Sequence, residues 1–219
     1  MRASQVQTHV QTQARPDVAL SRVERIIAAC LPSAADVIFL SVLLGVLLGL
    51  QGRALGYDGD SGWNIRIGLF VLDHGIPRKE FLLSTTYGQP HVYWEWLSQT
   101  FYAIAYRLGG LNGVVLLAAL LVALTGTGLF VAMRNRGLPL LLALGLALLG
   151  TALTSITWTA RSQLFSLLLT LCWSEWIWRY WRDGNPRRLW FFPITMALWA
   201  NLHGGFLGGL ILLGVAVGV

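Results

Sequence analysis

Y-D-G-D-S-G-W-N-I-R at residues 57–66 and H-V-Y-W-E-W-L-S-Q at 91–99 belong to one polar, acidic and aromatic insert running from Tyr57 to Arg107. On both sides lie apolar runs of about 17 residues or more, the length expected of membrane helices. Ionisable groups gather nowhere else so densely outside a helix end, so part of any chemistry is expected here. The composition agrees with a membrane setting. Of 219 residues 55% are hydrophobic and 12% charged, against about 25% charged in an average soluble domain. The expected fold class is all-α: a polytopic transmembrane helical bundle with a long first external loop carrying two interfacial amphipathic helices.

The formal net charge of +6 does not point to nucleic acid. The arginines stand at the ends of apolar runs rather than among exposed aromatics, where they read as topology signals facing anionic lipid. Cys30 and Cys172 have no metal-ligand spacing around them and read as small apolar fillers. Residues 1–16, rich in Gln and Thr, read as a disordered tail. Residues 17–30 read as a short amphipathic helix able to lie on a membrane. Residues 1–33 are thus expected to be cytoplasmic and 34–219 to form the transmembrane domain. The first span, about 34–52, reads as an uncleaved anchor. Arg15, Arg22 and Arg25 precede it, which predicts a cytoplasmic N-terminus and an external loop over 53–110.

Within that loop, Tyr93 to Leu108 has helical periodicity. Glu95, Gln99, Tyr102 and Tyr106 share one face, and Trp94, Leu97, Phe101, Ile104 and Leu108 the other. A carboxylate at mid-bilayer costs about 2.5–3.5 kcal/mol on insertion scales. The segment is therefore expected to lie flat at the outer interface, its polar face toward water, and to end at Gly109-Gly110. Spans over 111–133, 138–156 and 163–181 follow. This register puts Arg134, Arg136, Arg182, Arg187 and Arg188 in the cytoplasm. Glu175 and Arg179 read as a local helical pair, and Trp158, Trp173, Trp190 and Trp199 as an interfacial belt. A fifth helix, bent or shortened by Pro193, should reach the outer face near Asn201, with a sixth starting at Phe206. Fourteen residues follow Gly205, short of the ~20 that cross a bilayer, so a piece of a longer protein is expected.

The same topology brings Asp58, Asp60, Arg66, Arg78, Lys79, Glu80, His91, Glu95, Arg161 and His203 to one membrane surface. Two carboxylates one residue apart suit a divalent cation or a single general base tuned by its neighbour; a solvated turn with Asp capping the next helix is the plainer alternative. Arg66, Arg78 and Lys79 would grip phosphate or sit among lipid headgroups. Arg161, in T-W-T-A-R-S-Q, needs an anion, either lipid headgroup or substrate phosphate. His203 would touch a substrate or bond a neighbouring carbonyl.

The strings D-S-G-W-N-I-R-I-G, I-P-R-K-E-F, Y-G-Q-P-H-V-Y-W-E-W-L, T-A-R-S-Q-L-F-S and L-W-A-N-L-H-G-G-F-L-G-G-L resemble an uncharacterised bacterial branch of the GT-C glycosyltransferases, the superfamily of protein mannosyltransferases and aminoarabinose transferases. The chain departs from better-known members in lacking an early D-E pair. The resemblance implies a multi-pass protein of the bacterial cytoplasmic membrane, transferring a sugar from a polyprenyl-phosphate carrier to an acceptor at the outer face. It implies Asp60, or in second place Asp58, as base. Arg161 with Arg66 or Lys79 would neutralise the departing phosphate, and Glu80, Glu95 and His203 would complete the substrate site. A divalent cation at Asp58 and Asp60 stays open, as does a protein partner or further C-terminal part completing the fold. Competing readings are a non-catalytic membrane scaffold or partner subunit, and a membrane acyltransferase using His203. A transporter fits less well, because its ionisable groups would lie near mid-membrane.

Overall fold

The computed structural model describes residues 31–49 and 59–218, whose regular elements are all helical. The expectations for the tail, for the segment 17–30, for Cys30 and for Asp58 fall outside these residues. The described helices belong to one compact unit, Ala34–Val219.

Each helix starts and stops where local chemistry requires it. Helix α1, Ala34–Leu48, follows Pro32-Ser33 and carries Asp36 in its first turn, where a carboxylate favours the helix dipole. Helix α2, Gly59–His74, likewise has Asp60 in its first turn. It ends at Gly75, whose φ of +82° is the left-handed conformation a side chain would strain. Helix α3, Trp96–Asn135, is broken at Gly109 (φ −146°) and Gly110 (φ +58°, ψ −148°). The break is sharp: a Cβ on Gly113 would come 2.1 Å from the carbonyl oxygen of Ala105. The start of the long arm therefore lies directly against the end of the short one. Helix α4, Leu140–Leu153, begins after Pro139 and runs into a 3-10 turn, Thr154–Thr157. Helix α5, Gln163–Asp183, closes on left-handed Gly184, whose N–H donates to Tyr180 O. Helix α6, Phe191–Leu202, keeps Pro193 in its first turn, where the missing N–H costs no hydrogen bond. Helix α7, Phe206–Gly218, ends the described chain.

Among the described residues two stretches are long and apolar enough to cross a membrane, α3 and Leu140–Thr157; α1 and α7 are apolar but shorter. The long arm of α3 is the central post. Ala118, Ala119 and Ala123 are fully buried on it, and Gly126 lies against Thr151 of α4 and Gly128 against Leu171 of α5. Small residues of this kind let helix backbones approach closely. Leucines face outward instead on α1 (Leu40, Leu44, Leu48) and α4 (Leu141, Leu149, Leu153).

Contacts define two ends of the unit. Ala35 and Ile38 pack near Phe130, Met133 and Leu138, and Glu175 meets Arg136 beside them. Val46 packs instead with Tyr102, Trp158 and Leu164. Helix α1, the long arm of α3 and helices α4 to α7 thus run between an arginine-bearing end and an end built from 59–66, 91–99, 158–163 and 201–206, where α2 and the short arm of α3 pack.

Three details differ from expectation. Trp173 and Trp199 are fully buried, packed edge to face with ring centroids 5.5 Å apart, and Trp158 is also buried; only Trp190, of the four, is well exposed. Glu175 pairs with Arg136 of the α3–α4 connection, not with Arg179, which lies over Trp176. On the short arm of α3, Ser98, Gln99 and Tyr102 turn inward while Phe101, Ile104 and Leu108 face out. The polar stripe is covered by protein because α2 packs on it. A Cβ on Gly68 of α2 would fall 1.9 Å from Gln99 O, so that crossing depends on glycine.

Candidate functional site

At the end opposite the arginine-rich connectors lies an open cleft of about 590 Å³, lined among others by Asp60, Asn64, Glu95, Gln99, Arg161 and His203. Four separate parts of the chain supply these groups. Asp60 comes from the first turn of α2, Glu95 from the residue before α3, Arg161 from the turn before α5, and His203 from the α6–α7 junction.

The arms that carry them are strapped together. Tyr102, buried, donates its hydroxyl to Arg161 O at 2.9 Å and so holds the turn on which the arginine stands. The Trp96 indole donates to Asn201 Oδ1 at 2.8 Å, tying the start of α3 to the end of α6. Gln99 Nε2 donates to Asn64 Oδ1 at 3.3 Å across the tight α2–α3 crossing. Among the described residues the buried Gln99 Oε1 has no hydrogen-bond partner, an unspent acceptor on the cleft wall.

The charges face one another across the opening. Arg161 Nη1 lies 3.0 Å from Asp60 Oδ2, with both side chains substantially exposed at 38% and 61%. An exposed pair of this kind contributes little to stability, at most about 1 kcal/mol, so it is readily exchanged for a ligand. Glu95 is more enclosed. Its Oε2 accepts from Ser162 Oγ at 2.5 Å, and its Oε1 stands 3.7 Å from His203 Nε2.

Arg66, Lys79 and Glu80, all named from sequence, do not line this cleft. Arg66 is exposed on α2. Lys79 and Glu80 border a separate cup with Phe70, Arg78 and Tyr87. Glu80 organises its own loop: Oε1 accepts from the backbone N–H groups of Leu82 (2.7 Å) and Leu83 (3.1 Å), and Oε2 lies 3.8 Å from His91 Nδ1. Burial alone would raise its carboxyl pKa. The two backbone donors, with the Tyr93 hydroxyl and the nearby His91, outweigh that and hold it below the usual value. Tyr93, desolvated beside this carboxylate, is pushed up to about 12.

Ser162 and Ser166 are site residues that sequence reading missed, because a lone serine carries no local signal; Tyr102 stands on the polar face read from sequence, but its bond to the Arg161 turn is long-range and has no local sign. Among the described residues no group of three or more His, Cys, Asp or Glu side chains could hold a metal. The Asp60 carboxylate is engaged by Arg161, so a cation there would compete with a guanidinium.

The fold and cleft together define an all-helical protein with membrane-spanning capacity and a mixed acid–base cleft at one end. Compared with known proteins, the chain matches no family model, no curated protein and no solved structure.

Proposed function

We propose that this chain is a multi-pass membrane glycosyltransferase of GT-C type, with its N-terminus in the cytoplasm and its cleft at the outer face. It would take a sugar from a polyprenyl-phosphate carrier. The observation that carries the reading is the meeting of Asp60 with Arg161 on the cleft wall, 101 residues apart in sequence, at the end away from the basic connectors. Cytoplasmic placement of arginine-rich loops then puts the cleft outside. The outward leucines of α1 and α4 are surfaces that lipid would cover.

The chemistry follows from the pair. An incoming donor phosphate binds the Arg161 guanidinium, a geometry arginine serves well, and thereby loosens its hold on Asp60. The acceptor hydroxyl gives its proton to Asp60 while its oxygen forms a bond to the anomeric carbon. The carbon–oxygen bond to the phosphate breaks in the same step, and its electron pair leaves on the phosphate oxygen, stabilised by Arg161. One displacement inverts the anomeric centre. No step requires Arg66, Lys79 or Glu80.

The test is release of polyprenyl phosphate from a set of labelled polyprenyl-phosphate hexoses by membranes carrying the full-length protein. Turnover is expected from the wild type, and Asp60→Asn should abolish it at unchanged expression. Turnover retained by the variant removes the base assignment. No turnover of any donor by the wild type counts against sugar transfer and favours the scaffold reading.

A further inference from the structure

The hydrogen bonds around His203 set its chemistry as well as its place. Its Nδ1 accepts from the Gly205 backbone N–H at 3.0 Å and lies 2.7 Å from Ser166 Oγ. Because the Gly205 N–H takes the Nδ1 lone pair, the Ser166 hydroxyl can only donate to Nδ1, while its oxygen accepts the Trp199 indole N–H at 2.7 Å. With two donors directed at one lone pair, Nδ1 is unprotonated and the ring proton sits on Nε2. Glycine at 205 keeps this arrangement tight, since a Cβ there would fall 2.6 Å from Ser166 Oγ and 2.7 Å from His203 Nδ1.

That Nε2–H faces Glu95 Oε1 across 3.7 Å, wider than a direct hydrogen bond. Glu95 cannot close the gap freely, because its other oxygen is held by Ser162. The two groups are an N–H donor and a carboxylate acceptor, and an oxygen set between them must accept from one and donate to the other. A hydroxyl does both. A phosphate could accept from His203, but would bring its charge against the Glu95 carboxylate.

We infer that Glu95 and His203 form a hydroxyl-reading subsite for a sugar or polyol, and that Ser166 is the positioning residue that sets the imidazole tautomer. The identity of the ligand as a sugar rests on the transfer reading above; the donor–acceptor logic does not. The cleft is then divided, with Arg161 taking the anionic part of a ligand and Glu95 with His203 a hydroxyl. The arrangement also disfavours acyl transfer through His203, because a general base would need the Nε2 lone pair that the proton occupies.

The experiment uses the full chain in detergent with nitrogen-15 histidine, His203 being assigned among the four histidines by loss of its signals in His203→Gln. The wild type is expected to show the Nε2–H tautomer. Ser166→Ala, which leaves only the Gly205 N–H on Nδ1, should raise the share of the Nδ1–H tautomer and Ser166→Thr should not; an unchanged tautomer in Ser166→Ala overturns the positioning role of Ser166. Octyl glucoside should then shift the His203 Nε2 signal, while an octyl oligo(ethylene glycol) ether should not. Glu95→Leu should remove the response. A proton on Nδ1, a response to inorganic phosphate in place of the glucoside, or no response to the glucoside overturns the proposal. The measurement does not involve turnover, so failure of the hydroxyl subsite and failure of sugar transfer are read separately.

Discussion

The two ends of the molecule use the same charged residue types to opposite purposes. At the arginine end the charges are absorbed by their neighbours. Arg136 meets Glu175 and lies over Trp178, Asp183 takes both Arg182 and Arg188, and Arg134 donates to the Leu138 carbonyl. At the cleft end the charges border an open volume: Glu95 and His203 keep a 3.7 Å gap, and the Asp60–Arg161 pair, though joined, is exposed. Satisfied charge fixes helix ends. Exposed or gapped charge beside a void is what a ligand can complete.

The largest effect expected from this difference is one of sidedness. Single cysteines at the exposed positions Ser84 and Gln89, in a chain lacking Cys30 and Cys172, should react with an impermeant maleimide from outside intact cells. Those at exposed Asn135 and Asn185 should react only after permeabilisation. Both sets reacting from one side would break the comparison at its root.

Next in size is the contrast between two arginines. Arg161→Gln should lower donor turnover by about 10²-fold or more, the loss typical of a removed transition-state anion stabiliser. Arg136→Gln should leave turnover intact and act only on expression or thermal stability. Equal effects on turnover would mean that the two ends are not functionally distinct.

Packing supplies a third contrast, within α2. Gly68→Ala places a methyl into the Gln99 backbone and should destabilise the fold by about 3 kcal/mol, the upper part of the overpacking range. Gly62→Ala, on the same helix with nothing within 4 Å, should be neutral or stabilise by up to ~1 kcal/mol. Thermal melts of the two variants in one detergent decide it, and similar melting points would disprove the tight crossing.

How much of this was legible beforehand follows from which forces act locally. Some helix limits could be read because neighbours in sequence set them: the break at Gly109-Gly110 needs a backbone conformation that other residues resist, and Pro193 marks a short helix. The inward face of the short arm of α3 could not. Its polar stripe of Gln99 and Tyr102 would suit water or protein equally, and only the packing of α2 through Gly68 decides. Long-range pairing was equally hidden. Glu175 has Arg179 one turn away yet joins Arg136, 39 residues distant. Arg161 announces its need for an anion, but nothing in sequence says that Asp60 supplies it. Ser166 gives no sign that its hydroxyl orients a histidine.

The smallest expected effect lies in the loop between α2 and α3, where Glu80 resembles the arginine end more than the cleft beside it. Its carboxylate is enclosed and bound to two backbone N–H groups, and these interactions favour the charged form. A carboxyl held below its unfolded value adds stability that is present above that value and is lost as pH falls through the lower, folded one. Amide hydrogen exchange at Leu82 and Leu83 should therefore be protected at neutral pH and lose protection as the medium is acidified below the ordinary glutamate value of 4.5. Glu80→Gln should show that loss already at pH 7, since a neutral amide oxygen is a weaker acceptor for the same donors. The change should stay within 79–93 and leave donor turnover nearly unaltered, because the cleft-lining residues that Glu80 touches, Leu83, His91 and Tyr93, take no part in the proposed transfer. A large fall in turnover in Glu80→Gln would place this carboxylate among the groups that meet the substrate, and the boundary between organising charge and working charge would have to be redrawn through the loop.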